Sequence, residues 1–168
     1  MGARAAFAIA AAIGIAFTAT GASAREIVPF EGRVSPGTIV IKTGERRLYY
    51  VRGDGTALRY RVAVGKPGKQ WFGEAQIDGK YVQPAWSPPA EVKRDNPRLP
   101  DVIPGGAPNN PMGARALTLN LDEYAIHGTN RPGSIGTFAS YGCIRMLNQD
   151  IVDLYEQVSV GTRVVVVP

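Results

Sequence analysis

Alternation of apolar and polar positions is the main signal along this chain. Thr38-Ile39-Val40-Ile41 is a β-branched run and predicts a strand. Arg47-Leu48-Tyr49-Tyr50-Val51-Arg52 predicts a second. Gly53-Asp54-Gly55 then supplies residues that tolerate positive φ, as a hairpin turn requires. The return strand runs from Ala57 to Val64. There Leu58, Tyr60, Val62 and Val64 share one face, and Arg59 and Arg61 lie on the other. This predicts a sheet with one buried face and solvated arginines opposite. Gly65-Lys66-Pro67-Gly68-Lys69 breaks the pattern, and Ala75-Gln76-Ile77, after Trp71-Phe72-Gly73, predicts a further short strand. Ala116 to Leu121 alternates again, and Tyr124-Ala125-Ile126 is a short strand that delivers His127 at its end.

The period changes once, near the carboxyl end. Ile151, Leu154, Tyr155 and Val158 follow the i, i+3, i+4, i+7 spacing of one buried helical face. Asn148 is the expected N-cap, Asp150 suits the first turn, and Gly161 ends the helix. Arg163 to Val167 predicts a closing, central strand. Between Pro84 and Pro111 lie eight of the chain's thirteen prolines. Proline lacks the backbone donor, so neither a central strand nor a regular helix is expected there. The segment reads as a structured lid or wall beside a site, or as a plain surface loop. The expected fold is mainly β, sandwich-like, with one helix near the C-terminus.

Composition narrows the class. At 168 residues, with 45% hydrophobic and 20% charged positions, the chain fits one globular domain. The net charge of +5 is modest: it suits an anionic polymer such as a cell wall, and suits no particular partner almost as well. The basic residues form no run or stripe interleaved with aromatics, so no nucleic-acid partner is expected. Residues 1–24 read as a secretory signal: Arg4, an uncharged apolar stretch from Ala5 to Thr20, then Ala22-Ser23-Ala24 as cleavage site. The apolar run is shorter than the roughly 20 residues a membrane helix needs, so no stable membrane anchor is expected after cleavage. The expected location is exported, in the periplasm or cell-wall space. Residues 25–36 read as a leader and 37–168 as the domain.

Export makes the single cysteine informative. Cys143 has no partner for an internal disulfide, so its thiol is buried and inert, an intermolecular link, or reactive. The single histidine, His127, lies sixteen residues upstream. Both sit in glycine-bearing turns after strands. A thiolate can attack a carbonyl, and an imidazole can take its proton and return it to a leaving amine. Gly128 carries no side chain to orient the ring, so a backbone carbonyl or a distant group must do so. Gly142 permits a tight turn that can aim the amides of Tyr141, Gly142 and Cys143 at one point, as an oxyanion hole. Arg145 adds positive charge that favours thiolate or a substrate carboxylate. One His and one Cys do not complete a zinc shell, and no metal or cofactor is expected.

His127-Gly128-Thr129, Ile135-Gly136, Ser140-x-Gly142-Cys143-Ile144-Arg145-Met146 and Asn148-x-Asp150 together resemble the L,D-transpeptidase catalytic domain family. Gly37 to Gly65, Asn109-Asn110-Pro111-Met112-Gly113 and Val158-x-x-Gly161-Thr162-x-Val164 extend the likeness over most of the chain from Gly37. The resemblance implies a sandwich-like catalytic domain acting on peptidoglycan tetrapeptide stems as donor and acceptor. It implies Cys143 as nucleophile, His127 as base and acid, and the Gly128 carbonyl as the group orienting the ring. Ser140, Arg145 and Thr129 would contact substrate. A thioester would form with loss of D-Ala, and a neighbouring stem would resolve it as a 3→3 cross-link. Water or a protein amine would make the same site an L,D-carboxypeptidase or endopeptidase, or a protein-to-wall attachment enzyme.

Two departures stand out. Many family members carry His where this chain has Tyr141, so His127 must serve as both base and acid. The family's usual Thr-Pro-x-Gly turn is absent, with Trp71-Phe72-Gly73 near its place. A sortase-like enzyme also uses Cys, His and Arg, but with the Arg on a separate strand; here Arg145 follows Cys143 by two residues. The rival of another class is a non-catalytic peptidoglycan-binding module.

Overall fold

The computed structural model describes residues 25–121 and 123–168. The expected signal segment, 1–24, lies outside the described residues. The strands are β1 (Glu26–Pro29), β2 (Ile39–Lys42), β3 (Arg47–Val51), β4 (Thr56–Arg61), β5 (Val64–Gly65), β6 (Gly73–Val82), β7 (Arg115–Leu119), β8 (Ala125–His127), β9 (Phe138–Ser140), β10 (Ile144–Arg145) and β11 (Arg163–Val167). The helices are α1 (Ala90–Asp95) and α2 (Asn148–Gln157). Nine strands form one sheet in the order β1-β4-β3-β2-β11-β6-β7-β8-β10, and β5 pairs with β9 apart from it.

The β3–β4 hairpin turns where expected. Gly55 adopts φ 77°, and the Asp54 carboxylate accepts the Thr56 amide at 3.1 Å, an Asx turn. Leu58, Tyr60, Val62 and Val64 are all buried, while Arg59 and Arg61 face outward. Strand β6 is ten residues long where a short strand was expected. Its first half pairs with β11 and its second with β7, so it joins the two halves of the sheet. Alternation continues through Asp78, Gly79 and Lys80, but Gly79 fills the inward position and hides the period. A β-carbon there would sit 2.7 Å from Thr118 Oγ1.

One buried cluster draws on both halves of the sheet and on α2: Ile39, Ile41, Leu48 and Tyr60 meet Leu117, Ile126, Ile144, Ile151 and Leu154. Each such side chain contributes about 2 kcal/mol of burial. The 25–36 leader is built into the fold. β1 pairs with β4, and Val28, Phe30 and Val34 cover Val40, Tyr49, Val51 and Ala57. That second layer is why consecutive residues of β2 are buried on both faces. β11 is central, between β2 and β6.

Helix α2 buries Ile151 and Leu154 as its spacing predicts, but Leu147, not Asn148, holds the N-cap position. The Asn148 side chain points to neighbouring loops. The helix stops at Gln157, and Gly161, with φ 91°, serves the turn into β11. The proline-rich segment does contain a regular helix, α1. It starts directly after Pro89, where a missing N–H costs nothing, and occupies the proline-free gap before Pro97. It buries no side chain. The segment's ends are pinned by buried Asn110, whose Nδ2 donates to the carbonyls of Pro84 (2.9 Å) and Pro104 (2.9 Å). Among the described residues no helix is long and apolar enough to cross a membrane.

Candidate active site

β8 and β10 run parallel, with Ile126 opposite Ile144 and His127 opposite Arg145. Both isoleucines are buried in the core, so the alternate residues face the other side. Cys143, just before β10, continues that alternation and joins Arg145 and His127 there. The Met146 amide donates to the His127 carbonyl at 2.8 Å and closes the ladder. The register of this short parallel pair thus sets Cys143 beside Ala125 and on the same side as His127.

His127 is 4% exposed, and its Nδ1 lies 2.7 Å from the Gly128 carbonyl. A carbonyl only accepts, so this contact keeps the proton on Nδ1 and leaves the Nε2 lone pair available. Burial, and then the Arg145 cation, push the imidazole down to about 4; the Gly128 and Pro111 carbonyls oppose them. The Cys143 thiol is pushed up by burial and by the Glu123 charge, against the Ala125 amide and Arg145. Its sulfur lies 3.8 Å from the Glu123 carbonyl. Near neutral pH the pair therefore rests as neutral thiol and neutral imidazole. Arg145 is partly buried and forms no ion pair among the described residues, and its Nε lacks a partner. Such a guanidinium beside a thiol and an imidazole is suited to an anion.

The turn before the thiol is locked from three sides. Gly142 has φ 130°, and a β-carbon there would lie 2.2 Å from the Tyr124 ring, so only glycine fits. Ser140 Oγ accepts the Gly142 amide at 3.2 Å and donates to the Cys143 carbonyl at 2.5 Å. Trp71 Nε1 donates to the Gly142 carbonyl at 3.1 Å, and its ring stacks on Tyr124 with centroids 5.6 Å apart and planes at 3°. Of the three amides expected to face an oxyanion, Gly142's is taken by Ser140. Those of Tyr141 and Cys143 have no acceptor among the described residues.

Ser140 and Thr129, expected to contact substrate, have their hydroxyls engaged by the protein. Ser140 is 1% exposed, and Thr129 Oγ1 accepts the Arg131 amide at 3.0 Å. The Tyr141 hydroxyl reaches Asp95 of α1 at 2.7 Å, and Lys66 Nζ sits 3.6 Å from the Tyr141 ring centroid. The proline-rich segment thus touches the cysteine turn. Asn148 does not cap α2. Its Oδ1 accepts the Ala114 and Thr129 amides at 3.1 Å each, and its Nδ2 donates to the Thr129 carbonyl at 3.1 Å. Gly128 and Gly113 leave room for it, since a β-carbon on either would lie 2.2 Å from Oδ1. Trp71 and Asn148 were missed as site-building residues. Only the Asn148-x-Asp150 spacing hinted at the second. Among the described residues no group of three His, Cys, Asp or Glu could hold a metal.

The chain is similar to known proteins over most of its length. The sequence model of YkuD, the L,D-transpeptidase catalytic domain, matches residues 36–166. "Probable L,D-transpeptidase YbiS" of Escherichia coli K12 is 42% identical over 135 residues, 75% of this chain and 43% of that protein. The chain spans less than half the length of this relative. An Enterococcus faecium L,D-transpeptidase structure superposes with a TM-score of 0.64 at 16% identity, over 80% of this chain and 50% of that one, a likeness of fold. A Brucella melitensis structure, solved as a "Probable carnitine operon oxidoreductase caia", is 45% identical with a TM-score of 0.56, over 85% of this chain and 92% of that one. The activity in that name is said of that protein alone. With the family match running from Pro36 to Val166 and including both His127 and Cys143, this chain belongs to the YkuD family of L,D-transpeptidase catalytic domains.

Proposed function

We propose that the protein is an exported L,D-transpeptidase that acts on peptidoglycan stem peptides through an acyl-enzyme on Cys143. The observation that carries this reading is the placement of the sole thiol, the sole imidazole and the Arg145 guanidinium on one side of the β8–β10 pair.

His127 Nε2 takes the thiol proton as sulfur attacks the carbonyl of the third, L-centred residue of a tetrapeptide stem. The Nδ1 contact with Gly128 holds the ring in the tautomer this needs. Negative charge forms on the carbonyl oxygen, and the amides of Tyr141 and Cys143 are the free donors to receive it. Collapse breaks the peptide bond. His127 returns its proton to the leaving amine, and D-Ala departs, leaving a thioester. The amine of a neighbouring stem then attacks the thioester, giving a 3→3 cross-link and freeing the thiol. Arg145 binds a carboxylate of the stem. Neutral reactants at rest mean that the thiolate forms only as the carbonyl engages.

Residues 1–24 direct export, which places the domain in the periplasm or cell-wall space, where its substrate lies. Incubating the protein with a disaccharide-tetrapeptide and reading the products by mass tests the reading. Free D-Ala with a dimer is expected. D-Ala with a tripeptide and no dimer would assign hydrolysis to the same site. No D-Ala at all, with stems retained by the protein, would favour a binding module.

A further inference from the structure

Trp71 has no part in the scheme above, yet it is hydrogen-bonded to the peptide unit that carries the Cys143 amide. No cis bond occurs in the described residues, so the Gly142–Cys143 peptide is trans. In a trans peptide the C=O and N–H vectors point in opposite directions within one plane. The indole N–H holds the Gly142 carbonyl at 3.1 Å, which sends the Cys143 N–H away from Trp71. Gly142 adopts φ 130°, a backbone conformation open to glycine, and its amide donates to Ser140 Oγ, which leaves the orientation of the next peptide to contacts on its carbonyl. The Tyr124 stack fixes the indole, and the Tyr124 ring fills the space against the Gly142 α-carbon.

We propose that Trp71 is a positioning residue for the oxyanion hole: by holding the Gly142 carbonyl, its indole N–H aims the Cys143 amide at the reacting oxygen. The proposal rests on the acyl-transfer reading of Cys143. A hydrogen bond to the carbonyl also polarises the peptide and strengthens the N–H at its other end. Trp71 stands near the place of the family's Thr-Pro-x-Gly turn, which is absent here.

The test separates reactions that build an oxyanion from one that does not. p-Nitrophenyl acetate acylates the thiol: sulfur adds to the carbonyl, its oxygen takes the charge, and p-nitrophenolate leaves. Iodoacetamide alkylates the same sulfur by displacing iodide, with no oxyanion. Trp71→Phe keeps the stack on Tyr124 and removes the donor. Acetylation is expected to slow by about tenfold or more, since full loss of such a donor costs 10²–10³. Alkylation should stay within about twofold. If both rates hold, or both fall in proportion, the proposal is overturned. Site-specific replacement of the Trp71 indole by isosteric benzothiophene removes only the N–H, and should reproduce the selective loss even if the Phe variant folds poorly. The ester needs no stem peptide. If the wild-type protein releases no D-Ala from a tetrapeptide but the selective loss appears, the substrate reading fails and the role of Trp71 stands.

Discussion

Arg145 stands directly opposite His127 in the parallel β8–β10 pair, a permanent cation beside a buried imidazole. Burial first, and then the repulsion of like charges so placed, keep the ring neutral, so it remains a base well below neutral pH. Replacing Arg145 by Gln should raise the imidazole from about 4, though not to the ordinary 6.5, because burial is the larger cause. His127 is the only histidine, so its ring proton gives one assignable NMR titration. An unchanged midpoint would mean that the two groups do not interact.

Acid stability should show two opposed contributions. His127 is depressed, so between pH 6.5 and about 4 the unfolded chain binds more protons and stability falls as pH falls, by roughly 3 kcal/mol in all. Asp150 is raised to about 6 by burial and by the Asp153 charge, and its Oδ2 lacks a partner. There the folded chain binds more protons between about 4 and 6, so stability rises as pH falls. The wild-type profile across that window should be nearly flat. Denaturant midpoints should increase with pH for Asp150→Asn and decrease with pH for His127→Gln. Parallel profiles for all three proteins would contradict this assignment.

Ser140 is buried and its hydroxyl bonds the cysteine turn, so its substitution is expected to act on the turn and not on substrate binding. Ser140→Ala leaves the buried Gly142 amide unpaired and should cost about 2 kcal/mol in urea melts. The turnover number should fall while KM for the tetrapeptide stays near its wild-type value. A raised KM with unchanged turnover would instead make Ser140 a substrate ligand.

Helix α1 buries nothing and is held over the cysteine turn by polar contacts, among them Tyr141 to Asp95 and Lys69 to Glu91 at 2.5 Å. Tyr141→Phe should accelerate hydrogen exchange of the Lys93 and Asn96 amides severalfold and change global stability by less than about 0.5 kcal/mol. Unchanged exchange would show that the hydroxyl does not hold the segment.

Much of the fold was legible because strand period and burial agree at Leu58, Tyr60, Val62 and Val64, and again in α2. What was hidden has local causes. Gly79 occupies an inward position without a side chain and breaks the visible period of β6. Residues 26–29 alternate too briefly to announce β1, whose placement depends on β4. The prolines flanking α1 exclude helix at their own positions only. At the site, the pairing of His127 with Cys143 was suggested by their uniqueness and by motif. The contacts of Trp71 and Asn148 span 71 and 19 to 34 residues, and no local pattern encodes them.

The central claim is that Cys143 forms the acyl-enzyme. The direct measurement is intact-protein mass after mixing with tetrapeptide donor in the absence of acceptor, followed by peptide mapping. A disaccharide-tripeptidyl adduct on the peptide containing Cys143, absent from Cys143→Ala, is the predicted result. D-Ala release that persists in Cys143→Ala, or an adduct mapped to another residue, would contradict it.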